Sequence, residues 1–179
     1  FIIMKIIFLA ALKKETPELK NFYYTGVGKI NSSIKTIELI NALKPDKIIN
    51  YGTAGAINPK LEGLIKCTTF IQRDMDARGL MNFKLGETPF DKISTIVFGE
   101  GGKICASGDN FVKNKIEIKC DLVDMEAYAI AKICKIKNIL FECYKYVSDY
   151  ADGNSNLDWI ENCSKGAQLF SDKFFECKK

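Results

Sequence analysis

Pro45-Asp46-Lys47-Ile48-Ile49-Asn50-Tyr51-Gly52-Thr53-Ala54-Gly55 is the stretch on which the fold turns. Residues 47–51 read as a strand that passes straight into Gly52-Thr53-Ala54-Gly55. Pro45 bars a helix from continuing into it, because proline lacks the N–H a helix interior needs. Just upstream, Ile34, Ile37, Ile40 and Leu43 recur at helical spacing within residues 31–43. Residues 4–11 form an earlier apolar run, as expected of a strand buried on both faces. Residues 22–25 resume as a short second strand before Gly26-Val27-Gly28. Strand, helix and strand in that order, with glycines at strand ends, imply a right-handed βαβ unit.

Downstream, residues 64–71, 95–98, 103–106, 121–124 and 140–148 read as strands. Residues 126–135 carry Ala, Ile and Cys on one face of a helix, and 157–176 read as one long amphipathic C-terminal helix. Between them lies a polar loop at 72–91 with Gly79, Gly86 and Pro89; long loops in compact domains are often functional. No internal repeat or low-complexity segment appears. The 179 residues suffice for one α/β domain and are too few for two, so a single domain over 1–179 is expected.

Composition narrows the chemistry. Charged residues are 27% and the net charge is +4, but the lysines are scattered, which argues against a nucleic-acid groove. No apolar stretch is long enough to span a bilayer, and none reads as a secretion signal, so no membrane partner is expected. Seven cysteines, an odd number with no C-x-x-C pair, suggest free thiols in a reduced, cytoplasmic compartment. There is no histidine. That excludes Ser-His and Cys-His nucleophile systems and disfavours a zinc site; no metal or organic cofactor is implied. Acid–base work falls to carboxylates, lysine, tyrosine, cysteine or water.

Several segments place small, acidic or aromatic residues at the carboxyl ends of expected strands, where α/β sheets bind ligands. They are Lys13-Lys14-Glu15, Gly52-Thr53-Ala54-Gly55, Ser107-Gly108-Asp109-Asn110-Phe111 and Val147-Ser148-Asp149. Val123-Asp124-Met125-Glu126-Ala127 adds a carboxylate at a strand-to-helix junction. Read singly, Asp149 or Asp152 is a turn former, Glu126 a first-turn charge, and Phe111 a core ring.

Taken in order, with Thr25-Gly26-Val27-Gly28-Lys29-Ile30 and Tyr150-Ala151-Asp152, these stretches resemble the methylthioadenosine/S-adenosylhomocysteine nucleosidases. Those belong to the purine nucleoside and uridine phosphorylase superfamily. The resemblance runs across nearly the whole chain and implies a three-layer α/β/α sandwich with a mixed, twisted central sheet. It also implies a homodimer acting on a small-molecule nucleoside.

Residue by residue, the resemblance assigns Asp149 as the acid that protonates purine N7, with Ser148 orienting it. Glu126 is assigned to the ribose hydroxyls and Glu15 to the attacking water. Phe111 is to stack on the base, the backbone beside Val112 to read its edge, and Met125 to pack on the sugar. Thr53 and Gly55 are to line the nucleophile side. Phe83 and Arg73-Asp74-Met75-Asp76 fall where nucleosidases carry a loop reaching a neighbouring subunit's pocket. Carboxylates on both sides of a glycosidic bond are the general logic of water-based cleavage.

Phosphorylases hold phosphate with arginines. This chain has only Arg73 and Arg78, both in the 72–91 loop, and Asn50 stands where hexameric purine phosphorylases carry an arginine. Glu15 would repel phosphate, so hydrolysis is favoured over phosphorolysis; the presence of Glu15, Glu126 and Asp149 together speaks against a non-catalytic nucleoside-binding protein. The chain is shorter than typical members by roughly fifty residues, after the first strand and between Phe83 and Lys103. Those parts shape the 5′-substituent pocket. Methylthioadenosine, S-adenosylhomocysteine, 5′-deoxyadenosine, futalosine-type and plain purine nucleosides all stay open.

Overall fold

In the computed structural model, which describes residues 4–175, β1 (Ile6–Ala10) and β3 (Lys47–Ala56) lie parallel, with Ile6 opposite Lys47 and Leu9 opposite Asn50. Phe1 to Ile3, Cys177 and the expected helix end at Glu176 lie outside the described residues. β2 (Phe22–Tyr24) adds in parallel to the other edge of β1. α1 (Lys29–Leu43) then returns the chain to β3. It stops at Lys44, whose left-handed backbone (φ 49°) turns its N–H onto the carbonyl of Ile40, ahead of Pro45.

The remaining elements are β4 (Leu64–Gln72), β5 (Thr95–Val97), β6 (Lys103–Ser107), β7 (Leu122–Asp124), α2 (Ala127–Lys137), β8 (Leu140–Asp149), α3 (Ser155–Asn162) and α4 (Ala167–Phe174). The eight strands follow the order β2-β1-β3-β7-β6-β4-β5, and β8 pairs with both β3 and β4. The path β3-β7-β6-β4-β8 therefore returns on itself as a closed ring rather than an open sheet. Pairing is mixed: β3–β7, β4–β8 and β4–β5 are antiparallel, the others parallel.

Period-2 alternation builds the two faces. Ile7, Leu9 and Ile48 pack with Leu39 and Ile40 of α1 and Ile130 and Cys134 of α2. Phe8, Ile49 and Tyr51 point the other way, onto Phe170 and Phe174 of α4. Helices on both faces of a mixed sheet give the three layers expected. Among the described residues no helix is long and apolar enough to cross a membrane, and the six described cysteines are free.

Two expectations are corrected. Gly52 and Gly55 do not follow a strand; they lie inside β3, which runs on to Ala56. The C-terminal segment is two helices, not one. The break spans Cys163–Gly166, and Gly166, the N-cap of α4, packs on two tyrosines: a methyl there would lie 2.3 Å from Tyr146 Cγ and 2.6 Å from the Tyr51 hydroxyl. Phe170 of α4 enters the core, while α3 lies against β8.

Candidate active site

A cavity of about 240 Å³ opens where β1, β3, β7 and β8 end; Glu15, Thr53, Glu126, Asp149 and Trp159 are in its wall. Glu15 ends a single 3-10 turn (Lys13–Glu15) just after β1 and is 4% exposed. Its Oε2 accepts the N–H of Leu12 at 3.0 Å, so the side chain caps its own turn. Its Oε1 accepts both the N–H (2.9 Å) and the hydroxyl (2.8 Å) of Thr53. Having donated to Glu15, the Thr53 oxygen accepts the indole N–H of Trp159 at 2.8 Å.

Glu126 is the N-cap residue of α2, buried, and its Oε1 accepts the N–H of Gly28 at 2.9 Å. Burial, then the neighbouring Asp124 charge, push its carboxyl up to about 8. Asp124 is the carboxylate that caps α2, through the N–H of Ala127 at 2.8 Å. It also meets the Lys145 ammonium at 2.8 Å and the Ser107 hydroxyl. Burial favours its neutral form, but Lys145 and these hydrogen bonds outweigh burial and hold it below the usual carboxylate range. Lys145, equally buried, is held well above the usual lysine value: Asp124 and further charges, Glu126 among them, override desolvation.

Asp149 closes β8 and is 6% exposed. Oδ2 accepts the Ser148 hydroxyl at 2.9 Å and Oδ1 the N–H of Ala151 at 3.0 Å. Burial raises its pKa against the pull of those two bonds, with Asp158 and Asp152 adding to the rise. This is a carboxyl poised to hold a proton at higher pH than usual. Gly55 makes room for it, since a methyl there would sit 2.5 Å from Oδ1. Gly55→Ala is expected to displace the carboxyl and lower kcat about 100-fold, measured beside a urea unfolding midpoint to separate misplacement from loss of fold.

Most of the expected site residues converge here. Ser148, Phe111, Val112, Met125, Thr53 and Gly55 all line the cavity with the three carboxylates. Gly55 lies against Asp149 rather than on the Glu15 side. Phe111 is 40% exposed at the rim, edge-on to Trp159 at 6.4 Å, and the Val112 carbonyl already accepts the Ser155 hydroxyl. Phe83 is not in the cavity wall; it packs on Phe90 at 5.6 Å. Arg78 is exposed and paired with Asp76 and Glu117. Arg73 folds into its own chain's cavity wall instead of forming a local Arg–Asp pair.

Sequence reading missed Trp159 and Lys145. The signals were present: the only tryptophan, and a lysine amid the apolar run Cys143-Tyr144-Lys145-Tyr146-Val147 of a strand. Among the described residues, no group of three or more Cys, Asp or Glu side chains could hold a metal ion.

Known proteins resemble this chain in sequence and in fold. The phosphorylase superfamily model matches residues 22–92. The 5′-methylthioadenosine/S-adenosylhomocysteine nucleosidase of Staphylococcus carnosus is 31% identical over 87% of this chain and 79% of its own length. That of Staphylococcus aureus is 32% identical over 80% and 74%. In fold, the Helicobacter pylori enzyme of that name bound to butyl-thio-DADMe-Immucillin-A superposes with a TM-score of 0.83 at 22% identity, over 96% of this chain and 98% of that one. Native futalosine hydrolase of Helicobacter pylori gives 0.83 at 23%, over 92% and 93%. On the identity and coverage of its Staphylococcus relatives, this chain belongs to the 5′-methylthioadenosine/S-adenosylhomocysteine nucleosidase family of the phosphorylase superfamily.

Proposed function

We propose that this protein hydrolyses the N-glycosidic bond of a 5′-modified adenosine of the methylthioadenosine/S-adenosylhomocysteine type, releasing free adenine. The observation that carries the reading is one small cavity walled by Asp149, with its raised pKa, and by the buried carboxylates Glu15 and Glu126. Asp149 holds a proton for purine N7, turning a poor leaving group into a neutral base. Ser148 and the Ala151 N–H keep its two oxygens oriented. Glu126 holds the ribose hydroxyls by hydrogen bonds that strengthen as the bond breaks. Glu15, fixed from three donors, directs water to the anomeric carbon. Met125 packs on the sugar, and Phe111 with the Val112 backbone bounds the base.

Water rather than phosphate fits the charges. Glu15 occupies the nucleophile side, and Asn50 is buried with its amide on the Leu9 carbonyl, away from the cavity wall. Arg78 is held by two carboxylates on the surface. We further infer a homodimer in the cytoplasm acting in methionine salvage. The exposed Ile30, Ile34 and Ile37 on α1 support association of two copies. Phe83 would then serve the neighbouring cavity. Purified protein given methylthioadenosine is expected to release adenine at the same rate with and without phosphate, followed by chromatography. Release only with phosphate would make it a phosphorylase.

A further inference from the structure

Arg73 continues from β4 into the cavity wall and is 9% exposed. Its guanidinium donates from Nη1 to the Asn110 side chain at 2.9 Å, and from Nη2 to the carbonyls of Gly108 (3.2 Å) and Asn110. Every one of those acceptors is neutral. Among the described residues no carboxylate oxygen lies within 4.0 Å of it, in contrast to Arg78 and Lys145. Of the five N–H donors of a guanidinium, those three bonds leave two free. The buried Nε is one, with no acceptor among the described residues.

A desolvated cation normally takes a carboxylate partner, because neutral dipoles replace only part of its hydration. Here the cation stands in the wall of the substrate cavity, beside the exposed Asn110 and Phe111 of its rim. A substituent that left the cavity on that side would pass it. Resting on the nucleosidase reading, we propose that Arg73 binds an anionic group on the substrate, a carboxylate at the end of the nucleoside's substituent. The site thereby distinguishes carboxylate-bearing nucleosides from neutral ones. Guanidinium and carboxylate match in geometry, and the match gains strength where water is excluded.

The competing account is a strut. Gly108 lies so close that a methyl on it would be 2.7 Å from Arg73 Cζ, and the three bonds brace residues 108–110. S-adenosylhomocysteine and methylthioadenosine separate the two accounts. They share the scissile bond and the thioether, and only the first has a carboxylate. Wild type, Arg73→Met and Arg73→Lys are assayed for kcat/KM on both substrates. Binding of both is followed in parallel by the fluorescence of Trp159, the single tryptophan, which lines the cavity.

In Arg73→Met the ratio of S-adenosylhomocysteine to methylthioadenosine, in kcat/KM and in affinity, is expected to fall about ten- to a hundredfold. Arg73→Lys retains the charge without the fork and is expected to keep part of the preference. Equal losses on both substrates, or no change in the ratio, would overturn the proposal and leave Arg73 a brace. Inorganic phosphate provides a further arm. Inhibition by phosphate that Arg73→Met abolishes, with the ratio unmoved, would assign the site to a free anion instead of the substituent. If wild type released no base from either nucleoside but the affinity ratio still shifted, the hydrolytic reading would fall and the anion site would stand.

Discussion

Asp149→Asn is expected to remove nearly all turnover, about a thousandfold in kcat, while the protein stays folded. The amide oxygen can still accept from Ser148 or Ala151, so the local bonds largely persist. What disappears is the transferable proton, and adenine then departs as an anion. A riboside whose leaving group needs no proton, such as a nitrophenyl riboside, should lose far less. Comparable losses on both substrates would point to a damaged site rather than a missing acid. In the wild type, the raised Asp149 pKa means that the acid form persists to higher pH than in an ordinary aspartate. Activity should decline as pH rises through that value.

Glu126→Gln joins two effects of opposite sign. Turnover is expected to fall about a hundredfold, because the amide nitrogen replaces one of the two carboxyl oxygens that hold the ribose hydroxyls. Stability should move the other way. The Glu126 carboxyl rises from 4.5 to about 8 on folding, so the folded state binds its proton more tightly than the unfolded chain. That contribution to stability is complete below 4.5 and is lost as pH climbs through about 8. The amide variant carries no such liability. Its melting temperature should match wild type in acid and exceed it by about 3 °C or more above pH 8, read by circular dichroism. An excess that did not grow with pH would remove burial of this charge as the cause.

The positions of Glu15, Glu126 and Asp149 at strand ends and a strand-to-helix junction were legible from their immediate neighbours, whereas their roles came only from the family resemblance. Trp159 was not legible as a site residue. It reaches Thr53 from α3, which ends at Asn162 and is separate from α4, so that the single helix expected there is split. Lys145 belongs to a strand, and nothing local marks it as the partner of Asp124. The two meet because β8 pairs with β3 and β4 and closes the ring that the order of elements alone presents as an open sheet. Arg73 looked like a loop cation with acidic neighbours. Its burial follows from the N–H of its own backbone pairing with the Ser107 carbonyl at 2.8 Å, which extends β4 beside β6.

In the proposed mechanism, water guided by Glu15 and assisted by the Asp149 proton displaces adenine. Mass spectrometry of the sugar formed from methylthioadenosine in oxygen-18 water, with phosphate present, tests it most directly. One labelled oxygen on free methylthioribose is the predicted result. A sugar 1-phosphate without label would contradict it.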